Sequence, residues 1–246
     1  MTASHEALTL WDKIASVAPY PPGLVVPVPE LMKGTAFFPG GIGLIRELGS
    51  TELPRWPVNG VMVLGHDFDT LANYNKSRRN GGESPRSPTW GTVVDVLKKA
   101  SIDQEECFFT NVYMGLREHG KNSGPFPGRH DNAYVDRCLA FLAAQFAAQK
   151  PRLIVVLGAP AFALIAKRLD DLHDWRAART FADIDRLGPV RPRVSLGGGQ
   201  VATVVSLIHP SYRRRNVGKR RYAGAAGHDA EMAMLRDALK SSGISP

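Results

Sequence analysis

The chain has 246 residues, 43% of them hydrophobic, which is enough for a sizeable core and excludes a wholly disordered chain. Lys and Arg number 31 against 23 Asp and Glu, a net charge of +8. That excess favours an anionic partner, nucleic acid first and an anionic membrane surface second.

The charge is uneven, since residues 213–221 hold six Arg or Lys and no acid. No apolar run reaches the length of a bilayer span. The start, MTASHEALTLWDKIA, lacks a basic stretch followed by an apolar one, so no signal peptide is read. A cytoplasmic protein is expected, nucleoid-associated if it binds DNA. Cys107 and Cys138 both lie in apolar runs and read as reduced core thiols. Two cysteines are too few for a four-cysteine iron–sulfur cluster, and no Cys/His group has zinc spacing. No metal and no cofactor is therefore expected.

In chain order, residues 5–17 carry apolar side chains at helical spacing, and 19–29 is Pro-rich and extended. Val61-Met62-Val63-Leu64 is a short continuous apolar run before Gly65, the signature of a strand buried on both faces. Residues 77–90 read as a polar loop, with Thr89 as the cap of a helix starting at GTVVDVLKKASI. ECFFTNVYMG is a second buried strand. After a Gly/Pro loop at 120–128, a helix is expected from about Asp131 to Gln149. PRLIVVLGAPAFALIAKRL reads as strand, Gly turn and helix. Residues 172–200 are weakly patterned, with LGGGQ as a hairpin turn or loop, VATVVSLI is the last strand, and a helix runs from about Asp229 to Lys240.

Four buried strands alternating with helices predict a three-layer α/β/α sandwich on a central four-stranded, mainly parallel sheet. No internal repeat and no linker is visible, so one domain over 1–246 is expected, with 1–57 packed on it as an N-terminal extension. In open α/β sheets functional residues gather beyond the strand C-termini. Those positions hold Gly65-His66-Asp67, Asn111, Gly158-Ala159 and His209-Pro210-Ser211. Singly, each has a plain reading as a turn, a cap or a buried histidine. There is no G-x-x-x-x-G-K-[ST], no G-x-G-x-x-G after a strand and no G-x-S-x-G elbow, which disfavours nucleotide binding and a serine hydrolase.

GHDFD at 65–69, FFTNVYMGLREHGKNS at 108–123, PRLIVVLGAPAFAL at 151–164 and LIHPSYR at 207–213 together resemble the uracil-DNA glycosylase superfamily, in order, over roughly residues 58–240. The nearest likeness is to the branch whose first motif is Gly-Gln-Asp-Pro-Tyr and whose last begins His-Pro-Ser. The resemblance implies a monomeric, metal-independent enzyme that flips a pyrimidine, uracil first, out of DNA and hydrolyses its glycosidic bond. It implies Asp67 as the carboxylate that stabilises the cation-like sugar and orients water, and His209 as the donor to the departing base. Asn111 would read the base edge, with Gly65, His66, Phe68 and Asp69 shaping the pocket. Ser87-Pro88-Thr89, Gly158-Ala159 and Ser211 would pinch phosphates. Arg213 falls where the family places a wedge in the vacated stack, and Arg214, Arg215, Lys219, Arg220 and Arg221 would hold the backbone.

Two departures bear on the substrate. Phe68-Asp69 replaces the family's Pro-Tyr, whose tyrosine rejects thymine, so the pocket is expected to admit a C5 substituent. Asn111 does not fix uracil over cytosine, because with its amide turned over the oxygen accepts from cytosine N4–H₂ and the nitrogen donates to N3. The base-stacking aromatic is also not fixed, Phe68 coming before Trp90. A glycosylase for another modified pyrimidine, used in defence against modified foreign DNA, is the alternative reading, and a non-catalytic DNA binder a further one. No lysine occupies a motif position suited to covalent catalysis, and Lys121 reads as a phosphate contact or a solvated loop residue.

Overall fold

Alternation of side chains along short buried strands builds the protein in three layers. The computed structural model describes residues 4–46, 54–84 and 86–244; Pro85 of the 77–90 segment and residues 1–3 and 47–53 of the N-terminal extension lie outside them. The strands are β1 (Val25–Val26), β2 (Val61–Gly65), β3 (Cys107–Asn111), β4 (Leu116–Arg117), β5 (Leu153–Leu157), β6 (Val190–Gly197), β7 (Gln200–Leu207), β8 (Arg221–Tyr222) and β9 (Ala225–Ala226). The helices are α1 (Ser4–Lys13), α2 (Leu71–Arg79), α3 (Pro88–Lys99), α4 (Asn132–Gln149), α5 (Ala159–Arg168), α6 (Phe181–Leu187), α7 (Arg213–Asn216) and α8 (Gly227–Ser242).

The central sheet runs β3-β2-β5-β7-β6, with the first four strands parallel and β6 antiparallel to β7. Met62, Leu64, Phe108, Ile154, Val156 and Val204 point to a layer that includes α4 and α5. Val61, Val63, Phe109, Val155 and Val205 point the other way, onto Trp90, Val93 and Leu97 of α3 and Met234, Leu235 and Leu239 of α8. Both faces are covered, as parallel strands require.

The sheet has five strands where the apolar runs indicate four. The fifth, β6, reads VRPRVSLG, and its Arg and Pro are exposed or half-buried because it is an edge strand. The hairpin expected at LGGGQ joins it to β7. Three helices were also missed, α2, α6 and the single-turn α7. Thr70 caps α2, its side chain accepting from Asn73 N, and the helix continues to Arg79 inside the segment read as loop. Ser87, not Thr89, caps α3: its hydroxyl accepts from Trp90 N three residues on, while Thr89 lies within the first turn.

The N-terminal segment closes one side of the sheet. Ala7, Leu10 and Val17 share a core cluster with Tyr134 and Phe141 of α4. Phe38 N donates to Phe109 O (2.9 Å) and Phe109 N donates to Gly43 O (2.7 Å), so this segment satisfies the open edge of β3. Glu83 ties it to α3 by accepting from Phe37 N (3.2 Å) and Trp90 Nε1 (2.8 Å). Burial pushes the Glu83 carboxyl from 4.5 up to about 7. Between those values the folded chain holds a proton that the unfolded chain has released, so this group costs stability as pH rises through the window. Glu83→Gln, which has no charge to bury, flattens that decline. Urea denaturation of both chains across this range checks the difference in slope.

Candidate active site

The parallel register brings four strand ends level. Gly65 pairs with Asn111, Leu64 with Val156, and Leu157 with Leu207. The residues that follow, His66-Asp67, Gly158 and His209, therefore leave the sheet on one side beside Asn111. The strand order reverses between β2 and β5, which opens a crevice at this edge.

Asp67 is held by two neighbours. Arg117 binds it bidentately, Nε to Oδ1 at 2.9 Å and Nη2 to Oδ2 at 3.0 Å. His66 Nδ1 lies 2.7 Å from Oδ2. Burial alone would raise the Asp67 carboxyl, but the His66 and Arg117 hydrogen bonds and charges outweigh it and hold the group below its ordinary range. Arg117 is buried, and its guanidinium also donates to the carbonyls of Lys121, Ser123, Gly124 and Pro125. Its own backbone N–H donates to Asp69 O. Sequence reasoning passed over Arg117, since nothing in its local pattern points to a carboxylate fifty residues away.

His209 carries the opposite arrangement. Its Nδ1 accepts from Ser211 N (3.3 Å), so in the neutral ring the proton sits on Nε2. Burial, then the charge of His66, lowers its pKa, with Asp67 opposing, and so favours the neutral form. Gly158 lies against this ring, since a Cβ there would sit 3.0 Å from His209 Cβ. The Gly158 N–H is spent on Leu207 O (2.8 Å), so it is not open to an anion, and Ala159 begins α5 beside it.

Asn111 is buried, and its Nδ2 donates to Phe38 O (3.1 Å). A Cβ on Gly65 would collide with its Oδ1, so glycine leaves room for the amide. Phe68 packs over Gly40 and meets Tyr74 edge-on, at 6.2 Å between rings. Both Asp69 oxygens accept from Asn73 Nδ2 (3.0 Å), which draws the side chain toward the start of α2.

On the rim, Thr89 Oγ1 lies 3.1 Å from Ser211 Oγ, so the segments around Ser87-Pro88-Thr89 and Ser211 meet. The basic stretch divides in two. Arg213 is 7% exposed and pairs with Glu231. Arg220 is fully buried between Glu231 (3.2 Å) and Asp185 (2.8 Å). Neither is placed as expected: the fully buried Glu231 of α8 needs cations, and it takes these two out of solvent. Tyr212 is 46% exposed instead, and Arg214, Arg215, Lys219 and Arg221 are exposed around it.

A doubly wound α/β protein with a carboxylate and two imidazoles at the C-terminal edge of its sheet, bordered by hydroxyls and exposed arginines, has the build of an enzyme acting on an anionic polymer. The family model of the uracil DNA glycosylase superfamily matches residues 91–230, more than half of the chain, and the chain belongs to that superfamily. Its members are in general DNA glycosylases, hydrolases that act on DNA. The match spans Asn111, Gly158 and His209 and stops short of Asp67. No curated protein matches the chain. Among the described residues no helix is long and apolar enough to cross a membrane, and no group of three or more His, Cys, Asp or Glu is placed to hold a metal ion.

The divided basic stretch gives a direct test. Arg213→Ala and Arg220→Ala each leave a buried carboxylate short of its cation and lower the unfolding free energy by about 3–5 kcal/mol. Arg214→Ala and Arg215→Ala stay within about 0.5 kcal/mol of the parent. These two instead weaken DNA binding and make its salt dependence shallower. Denaturation and salt-titrated binding, run on all four variants, read both effects.

Proposed function

We propose that the protein is a monofunctional DNA glycosylase. It flips a pyrimidine out of DNA, uracil in the first instance, and hydrolyses the N-glycosidic bond to leave an abasic site. The observation that carries this reading is the placement, at one edge of the sheet, of Asp67, whose carboxyl is hydrogen-bonded by Arg117 and His66, together with His209, whose Nδ1 accepts from Ser211 N and so leaves Nε2 as the donor of the neutral ring. Cleavage makes the sugar cation-like and the base anionic. A fixed carboxylate opposes the first charge, and a neutral imidazole N–H aimed at the base's O2 opposes the second. Neither group needs a cofactor.

Asn111 meets the base edge with an amide whose polarity Phe38 O has set, so its donor and acceptor sides do not exchange freely. Such an amide distinguishes uracil from cytosine rather than accepting both. Ser87, Pro88, Thr89 and Ser211 at the rim bind phosphate, joined by Ala159 and by exposed Arg214 and Arg215. With Arg213 turned inward, Tyr212 is the exposed side chain on this loop able to stack in the gap left by the flipped nucleotide. The whole chain acts as one unit, a monomer in the cytoplasm.

A second reading, excision of a C5-modified pyrimidine, is favoured by Asp69. Its side chain is drawn to α2, so residue 69 places no ring where the related enzymes have their tyrosine. Such an activity suits attack on modified foreign DNA.

Base release from oligonucleotides carrying U, T, C, 5-hydroxymethylcytosine or its glucosylated form, in single and double strands, decides between these. Release of uracil alone supports the first reading, and release of a bulky modified base alone supports the second. DNA binding with no release from any of them leaves a non-catalytic binder. His209→Ala lowers single-turnover release by about 10²–10³-fold, and Asp67→Asn also slows it, with DNA affinity retained in both. Release at the parent rate from both variants would overturn the assignment.

A further inference from the structure

We infer, resting on the glycosylase reading, that His66 takes the proton of the attacking water and that Asp67 acts through it. The sequence places His66 beside the catalytic carboxylate only as a wall of the pocket. The geometry gives it more to do.

Asp67 is poorly placed to be the base itself. Its Oδ1 accepts from Arg117 Nε, and its Oδ2 accepts from both Arg117 Nη2 and His66 Nδ1. A carboxylate bound by a bidentate guanidinium keeps its charge and is a weaker base than a free one.

His66 is placed the other way. An ionised carboxylate only accepts, so the hydrogen between Asp67 and His66 belongs to Nδ1. In the neutral ring Nε2 is then a bare lone pair. Nε2 makes no hydrogen bond among the described residues, and the side chain is 13% exposed at the sheet edge. Tyr113 and Phe126 hold the ring edge-on, with centroids 5.1 and 6.3 Å away, so its plane is set by packing. The charged and titratable groups around it are Asp67, Arg117, His209 and Tyr113.

His209 has the opposite tautomer, with Nδ1 accepting and Nε2 donating. The two imidazoles are near enough for the charge of one to act on the other. One offers a lone pair and the other a proton, as hydrolysis at a glycosidic carbon requires. In the step, the water oxygen bonds to C1′ as the C1′–N1 bond breaks, and that electron pair leaves with the base. The water's proton passes to His66 Nε2, and the imidazolium formed is stabilised by Asp67. The base anion, held at O2 by His209, takes up one proton, and His66 returns its own to solvent. The sum is nucleotide plus water giving an abasic sugar and the free base.

The test is single-turnover release from a short duplex carrying one uracil, or the panel base that the parent chain releases. His66→Ala is expected to lower the rate by about 10²–10⁴-fold with DNA affinity unchanged, and added imidazole to restore part of it. His66→Gln, which can still donate to Asp67 but cannot take a proton, is expected to stay slow. Imidazole is expected to restore nothing in Asp67→Asn. Parent-like release by His66→Gln overturns the inference, and so does a slow His66→Ala that imidazole does not restore, which marks His66 as packing alone. A parent chain that releases no base from any substrate overturns the glycosylase reading instead, so the two failures are distinguishable.

Discussion

The bidentate pair between Arg117 and Asp67 is the contact around which the candidate site is assembled. Every N–H of the guanidinium is committed, to the two carboxylate oxygens and to the carbonyls of Lys121, Ser123, Gly124 and Pro125. Phe126 lies under it at 5.6 Å. A buried pair of this kind contributes little net stability, since desolvation offsets most of the attraction. What it does contribute is geometry. Arg117 sits in β4, which pairs with β1, and its N–H holds Asp69 O. One residue, through its side chain and its backbone, therefore ties together the turn after β2, the 121–125 loop and the N-terminal segment.

That fixed carboxylate sets the electrical character of its surroundings. It orients His66 by accepting from Nδ1, and it partly offsets the effects that lower the pKa of His209. Ser211 N orients His209 by donating to its Nδ1. Two histidines with equal intrinsic properties are thus given opposite faces, by a carboxylate in one case and a backbone amide in the other. Neither assignment needs a metal or a moving part, only hydrogen bonds supplied within two residues of each ring.

Much of the fold was legible because its signals are local. β2 and β5 are continuous apolar runs, β3 and β7 are mostly apolar runs interrupted by Thr110, Thr203 and Ser206, α4 has an apolar face at helical spacing, and Gly158 marks the strand-to-helix turn. The convergence of Asp67, Asn111, Gly158 and His209 on one edge followed from parallel topology alone. β6 was hidden by its own chemistry, as an edge strand that tolerates Arg193 and Pro192 in a run with little apolar alternation. Arg117 was hidden by distance along the chain. The burial of Arg213 and Arg220 had one signal that could have revealed it. Glu231 stands on the face of α8 that also carries Ala230, Met234, Leu235 and Ala238, and an acid on an apolar face requires a cation.

Glu231 also explains how the basic segment and the candidate catalytic histidine are joined. Its Oε1 accepts from Ile208 N (2.8 Å), one residue before His209, while its carboxylate holds Arg213 and Arg220 on either side of the exposed Arg214, Arg215 and Lys219. Arg220 further reaches Ser206 O (3.0 Å) in β7 and stacks over Phe181 of α6 at 4.8 Å. The cationic run is therefore not a loose solvated tail. Its inward members form a buried neutral network with Glu231 and Asp185, and its outward members ride on that network. The exposed arginines and the candidate catalytic histidine are positioned by the same acid. Their spacing is consequently a property of the folded core rather than of two independent loops.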